Sequence, residues 1–240
     1  MLFVEKKILR AAGIQSVVFL SICIFVGVLI REDVQTKIMA NVIEDSGKDD
    51  KASHPDYIYV IDAGHGGVDS GTLAANTKYE EKTINFSIAN MVKALLEQDK
   101  NTKVYMTREN DQFLSPEQRV KIINEKNPDM VISIHCNSAD NLDATGVEVL
   151  YNTKDEESKE LSSECLGEIA KSTKQVNRGL LEGDNIYIVR NSNVPIALIE
   201  VGFLSNKEEL NYLLIEENQE RIAKGIVNGI RKTEGKRTKI

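Results

Sequence analysis

Histidine is scarce in this chain of 240 residues, with one each at positions 54, 65 and 135, and tryptophan is absent. Scarcity makes the place of each imidazole informative. The three cysteines exclude a disulfide-stapled scaffold. The four prolines and 15 glycines exclude a collagen-like or low-complexity chain. Positive charge is also in deficit: 30 Lys and Arg against 37 Asp and Glu leave a formal charge of −7. Phosphate binding needs clustered cations, so the chain is no general nucleic-acid binder. What is present, 41% hydrophobic and 28% charged residues, is globular in balance, and the length allows one domain or two small ones.

The average conceals a division. Residues 11–30, AAGIQSVVFLSICIFVGVLI, form an uncharged run, and as a helix it spans about 30 Å, the thickness of a bilayer core. Lys6, Lys7 and Arg10 precede it, which places the N-terminus in the cytoplasm and the rest outside. A cleaved signal peptide is the alternative; the run is long for one, and REDVQTKIMANV offers only a weak cleavage site near Ala40. The expected organisation is a cytoplasmic start and membrane anchor over 1–31, a polar linker over 32–56 and one domain over 57–235. Without residues 1–31, 26 Lys and Arg face 36 Asp and Glu, a charge of −10. Such a domain finds an anionic target by specific contacts or through a partner, not by its field.

From Tyr57 onward, apolar strands alternate with amphipathic helices. Strands are expected at 57–62, 102–108, 129–136, 146–152, 185–190 and 195–202. Helices are expected over 80–98, after Ser115-Pro116, around Leu161–Ile169, and as a final pair starting at Ser205. The alternation predicts an α/β fold, a mostly parallel twisted sheet covered by helices on both faces.

In such sheets ligands bind beyond the carboxyl ends of the strands. One strand runs into Asp62-Ala-Gly-His65, another ends Ser133-Ile-His135-Cys-Asn137, and a third carries Glu200 among apolar residues. Two imidazoles and a carboxylate are the ligand set of a catalytic zinc site that keeps a position open for water. The carboxylate is expected from Glu80-Glu81. With about 100° per residue and Ile84 at zero, the apolar stripe centres near about +40°, Glu81 near about +60° and Glu80 near about −40°. Glu81 therefore faces the sheet and is the expected ligand with His65 and His135. Glu200, costly to bury alone, is either a salt-bridge partner of Arg178 or Arg190, or a general base that passes a proton from the attacking water to a leaving amine.

IDAGHGGVDSGT, EEKTINFSIA, VISIHCNS, NRGL and PIALIEVGFLSN, in that order over about residues 58–230, together resemble the zinc-dependent N-acetylmuramoyl-L-alanine amidases of bacterial cell walls. The resemblance implies a phosphorylase/hydrolase-like domain, one zinc ion held by His65, Glu81 and His135, and Glu200 as the catalytic residue. In that family the ligand Glu precedes a Lys, as Glu81 precedes Lys82. The implied reaction is hydrolysis of the amide between the lactyl group of N-acetylmuramic acid and L-alanine in peptidoglycan. Asn137 and, in the NRGL segment, Arg178 are candidate substrate-binding residues; for Asn137, a turn residue bonding its own backbone is an equal alternative. A short member with an N-terminal anchor is most similar to the germination-specific subgroup of endospore formers, which acts in making muramic-δ-lactam in spore cortex. An activator or localising protein is a further implied partner.

Some members carry a long inserted helix that plugs the active site. Residues 152–177 leave room for one surface helix, so no plug is expected. Cys136 stands where the family has a small residue, and strand alternation turns it away from any metal on His135. His54 falls in the linker. The competing functions are another zinc peptidase or deacylase of the cell wall, and a catalytically weak wall-associated scaffold. Against the scaffold stands the complete set His65, Glu81, His135 and Glu200.

Overall fold

The computed structural model describes residues 55–73 and 79–237. The expected anchor, the linker and His54 lie outside the described residues, among which no helix is long and apolar enough to cross a membrane.

Six strands and six helices follow Tyr57: β1 (Tyr57–Ala63), α1 (Glu81–Leu96), β2 (Thr102–Met106), α2 (Pro116–Lys126), β3 (Met130–Asn137), β4 (Val147–Tyr151), α3 (Glu156–Thr173), β5 (Asn177–Glu182), α4 (Tyr187–Asn191), β6 (Ile196–Phe203), α5 (Lys207–Leu213) and α6 (Glu216–Arg237). The sheet order is β2-β1-β3-β6-β4-β5. The first four are mutually parallel, β4 runs antiparallel to β6, and β5 pairs parallel with β4. The mostly parallel α/β sheet is as expected.

Both faces are covered. Ile61, Ile132, Ile134 and Ile199 pack with α1, α3 and α6 on one side. Val60, Val131 and Leu198 pack with Val120 and Ile123 of α2 and Ile188 and Val189 of α4 on the other. This double burial makes the central strands read as unbroken apolar runs. The signal at Ser115 holds as well: its side chain accepts from Gln118 N, Gln118 caps Ser115 N in return, and Pro116 opens the helix.

Residues 185–190 are not a strand. Tyr187–Asn191 is a short helix, α4, and the strand of this region is β5, over NRGLLE. A short apolar run cannot be told from a buried helical turn by periodicity; here Ile188 and Val189 serve the core beneath α2. β5 lay hidden for the opposite reason. It is an edge strand with four exposed positions out of six, so no apolar alternation marks it. The final helical pair starts at Lys207, two residues after the expected Ser205, with Asn206 as the cap of α5. The Asp155 carboxylate caps the N-terminus of α3.

Candidate functional site

Strands β1, β3 and β6 lie side by side, so their carboxyl ends form one surface. His135 of β3 pairs in register with Glu200 of β6, and Glu200 pairs on its other side with Glu148 of β4. β1 turns through Gly64 into His65, which adopts the left-handed φ of 60°. A Cβ on Gly64 would lie 2.2 Å from Cε1 of His135, so the imidazole packs against bare backbone. A Cβ on Gly71 would come within 2.6 Å of both Glu81 Oε2 and His65 Cδ2. Glycine at both positions makes room for the cluster.

Glu81 is the first residue of α1 and is 2% exposed. It faces the sheet, as the helical phase predicts. His65 Nε2 and His135 Nδ1 each lie 3.1 Å from the same oxygen, Glu81 Oε1. That oxygen also accepts Cys136 N–H and the Asn85 amide, each at 3.0 Å, and Oε2 accepts Thr72 N–H at 2.8 Å. Burial opposes ionisation of Glu81, but the bonds from His135 and His65 prevail and hold its carboxyl well below the usual range. One ligand atom from each of His65, Glu81 and His135 falls within 4.8 Å of the others. Tetrahedral bonds of about 2.0–2.1 Å set ligand atoms about 3.3 Å apart, so the cluster fits a divalent cation. Asp69 Oδ2 lies 2.8 Å from His65 Nδ1, which leaves Nε2 turned to the cluster in the manner of an oriented metal ligand. Burial pulls His65 down, yet Glu81 and Asp69 lift it to about 9.

Glu200 completes the arrangement. Among the described residues neither candidate arginine pairs with it: Arg178 pairs with Glu148 at 2.8 Å, and Arg190 donates to Asp184 O at 3.0 Å. Glu200 Oε2 is buried without a hydrogen-bond partner. Burial is the main cause that pushes its carboxyl up to about 7, with Glu81 and Glu148 adding to it against His135. A cavity of about 270 Å³ opens at Glu200, His65 and His135, walled by Phe113, Tyr187 and Leu198. A second opening exposes the other side of the cluster and includes Asn137. No residue of α3 lines either opening.

The candidates Asn137 and Arg178 meet on Glu148. Asn137 Nδ2 donates to Glu148 Oε1 at 2.6 Å, and its own Oδ1 accepts Ser138 N–H at 2.7 Å. Arg178 lies over the Phe203 ring at 4.7 Å. Cys136 points into the core beneath α1, as alternation requires, and Cys136 and Cys165 are both free, buried thiols.

Sequence reasoning missed several residues around the cluster. Asp62 is fully buried and accepts from Thr107, Ser133 and Arg119 at 2.6, 2.7 and 2.7 Å. Its signal was an acid closing an otherwise apolar strand. Glu148 stands between Val147 and Val149 and carried the same signal, whereas Arg108 and Arg119 gave none, since each lies among largely polar neighbours in sequence.

Comparison with known proteins agrees with this geometry. The family model for N-acetylmuramoyl-L-alanine amidase matches residues 59–232. The germination-specific N-acetylmuramoyl-L-alanine amidase of Bacillus subtilis is 34% identical over 187 residues, covering 72% of this chain and 78% of that one. The catalytic domain of CwlV from Bacillus (Paenibacillus) polymyxa var. colistinus superposes with a TM-score of 0.70 at 36% identity, covering 73% of this chain and 97% of that one. The CwlD amidase of Clostridioides difficile, solved in complex with the GerS lipoprotein, gives 0.71 at 34% identity, covering 75% and 99%.

Proposed function

The chain belongs to the N-acetylmuramoyl-L-alanine amidase family, and from that premise we propose that His65, Glu81 and His135 hold one zinc ion beside the catalytic residue Glu200. The protein is a hydrolase of peptidoglycan that cleaves the amide between the N-acetylmuramoyl group and L-alanine. Family membership sets aside the alternatives of a different zinc peptidase and of an inert scaffold. The observation that carries the site reading is the convergence of His65 Nε2 and His135 Nδ1 on Glu81 Oε1, each at 3.1 Å, next to the unpartnered Glu200 Oε2.

When bound, zinc supplies Lewis acidity that polarises the scissile carbonyl and lowers the pKa of water at neutral pH. The protein's own groups do the rest. Glu200, poised near neutrality in a buried setting, accepts a proton as water adds to the carbonyl carbon. It returns that proton to the alanine nitrogen as the C–N bond breaks, leaving a free muramoyl carboxylate and a new amino terminus. Asp69 fixes the His65 ring, and the Thr72 and Cys136 N–H groups fix the Glu81 carboxylate. Phe113, Tyr187 and Leu198 give the cavity beside Glu200 an apolar wall. Asn137 lines the second opening and is the polar group offered to substrate there; Arg178 reaches it only through Glu148.

Likeness to a germination-specific amidase supports a role in spore cortex maturation, with formation of muramic-δ-lactam, and in germination. The apolar run 11–30 supports a membrane anchor with the catalytic domain on the cell-wall or cortex side. The relative solved with a lipoprotein supports an extracytoplasmic activator or localising protein for this chain too.

The test is a digest of purified peptidoglycan with the full chain in detergent and added zinc, scored for new L-alanine amino termini and peptide-free glycan. His135→Ala should lose both zinc and turnover, whereas Glu200→Gln should keep zinc and lose turnover. Full activity of Glu200→Gln would remove Glu200 from the mechanism.

A further inference from the structure

His65 sits at a φ of 60°, a left-handed conformation that is unfavourable for a residue with a Cβ. The surrounding structure must hold it there. Three consecutive main-chain carbonyls at this turn are all occupied by guanidinium groups. Arg108 Nε and Arg119 Nη1 both donate to Ala63 O at 2.9 Å. Arg108 Nη2 donates to Gly64 O at 3.2 Å, and Arg119 Nη2 donates to His65 O at 2.7 Å.

Each arginine is anchored from behind. Arg119 Nη1 also donates to Asp62 Oδ1 at 2.7 Å, which sets the plane of its fork. Arg108 lies over the Phe86 ring at 4.7 Å, and its Nη2 reaches Lys82 O at 2.8 Å. Lys82 adjoins Glu81 in the first turn of α1, so one guanidinium spans the turn that carries His65 and the helix that carries Glu81. Arg108 is 1% and Arg119 6% exposed. Burying two guanidiniums with Asp62 as the acid between them is expensive, and a plain turn would not need them.

We propose that Arg108 and Arg119 are positioning residues for the metal site: Arg119 fixes the main chain at His65, and Arg108 ties that turn to Glu81. The inference rests on the reading of His65 and Glu81 as ligands. Lysine cannot substitute, because one ammonium cannot bridge successive carbonyls as a planar fork does.

The experiment measures zinc affinity of the full chain in detergent by chelator competition, together with the absorption spectrum of the cobalt-substituted protein. Wild type, Arg119→Lys, Arg108→Lys and His65→Ala are compared, with the thermal midpoint of each metal-free protein recorded. Both lysine variants keep the positive charge. They should bind zinc about 10–100-fold more weakly, the usual cost of losing a group that orients a ligand, and shift the cobalt spectrum while the metal-free midpoint holds. Zinc affinity within twofold of wild type, with an unchanged cobalt spectrum, overturns the proposal. If Arg119→Lys loses the metal-free fold, the neutral pair Asp62→Asn/Arg119→Gln takes its place under the same threshold. Wild-type affinity in His65→Ala would instead overturn the ligand reading itself, an outcome separable from failure of the lysine variants alone.

Discussion

Replacing Gly64 with alanine isolates the packing of His135 from every other feature of the site. The backbone at Gly64 is outside the left-handed region, since it is absent from the positive-φ glycines, so alanine meets no torsional penalty there. Its N–H bond to Ile134 O at 3.0 Å is also untouched. The only consequence is steric: the new Cβ would lie 2.2, 2.4 and 2.6 Å from Cε1, Nε2 and Nδ1 of His135. Restoring an ordinary contact of 3.4 Å from 2.2 Å moves the ring by about 1.2 Å. Gly64 is held by its bonds to Ile134 and Arg108, so the shift falls on the His135 ring, which has open space beside it and moves off its position next to Glu81 and Glu200.

A displacement of about 1 Å in a reacting constellation costs on the order of 100-fold in rate, or about 2.7 kcal/mol of transition-state stabilisation. The Gly64→Ala enzyme should therefore show kcat/KM on a defined muropeptide reduced about 100-fold or more, with native circular dichroism and weakened zinc binding. Activity within threefold of wild type would refute both the position of the ring and its place in the site.

The contrasting substitution is Gly167→Ala in the exposed middle of α3, where an added Cβ meets nothing within 4 Å. It should raise stability by about 0.5–1 kcal/mol through lower unfolded-chain entropy and better helix propensity, and urea unfolding with no gain would count against the open geometry. Glu200→Gln should lower turnover about 100- to 10,000-fold. The wild-type rate should fall on the acid side at or below about pH 7 as Glu200 protonates, because a bound dication can only lower that pKa; an acid limb centred above pH 8 would be incompatible with Glu200 as the base. Asp62→Asn leaves buried Arg119 without its carboxylate and should cost about 3–5 kcal/mol in urea unfolding at pH 7. Burial favours the protonated Asp62, but Arg119, Thr107, His135 and Ser133 outweigh it and hold its pKa below the ordinary value. A depressed pKa gives stability that is present above the unfolded value and lost as pH falls below about 4. The gap between wild type and Asp62→Asn should narrow from pH 5 to pH 3, and a constant gap would show that the ion pair is not its source.

The parts of this fold legible in the sequence are those in which burial selects side-chain identity. β1, β3 and β6 are packed on both faces, so their positions must be apolar, and an acid or imidazole closing such a run stands out at once. Glu81 was legible for a related reason: its phase on α1 matched the buried stripe. α4 and β5 failed because neither condition held. One is a short apolar turn whose helical state comes from packing against α2, and the other is an edge strand whose ladder bonds place little demand on its side chains.

The support around the site was illegible for a deeper reason. Arg108 and Arg119 act on the carbonyls of Ala63, Gly64 and His65, and a carbonyl is the same in every residue. Nothing in the identity of those three residues announces that they will be held, and nothing in an arginine among polar neighbours announces that it will be buried. Side chains that meet side chains leave a correlated trace in composition and spacing, whereas side chains that meet backbone leave none. The cluster of His65, Glu81 and His135 could therefore be read from the sequence, while Arg108 and Arg119, which hydrogen-bond only to the backbone and Asp62 around it, emerge only when the chain is folded.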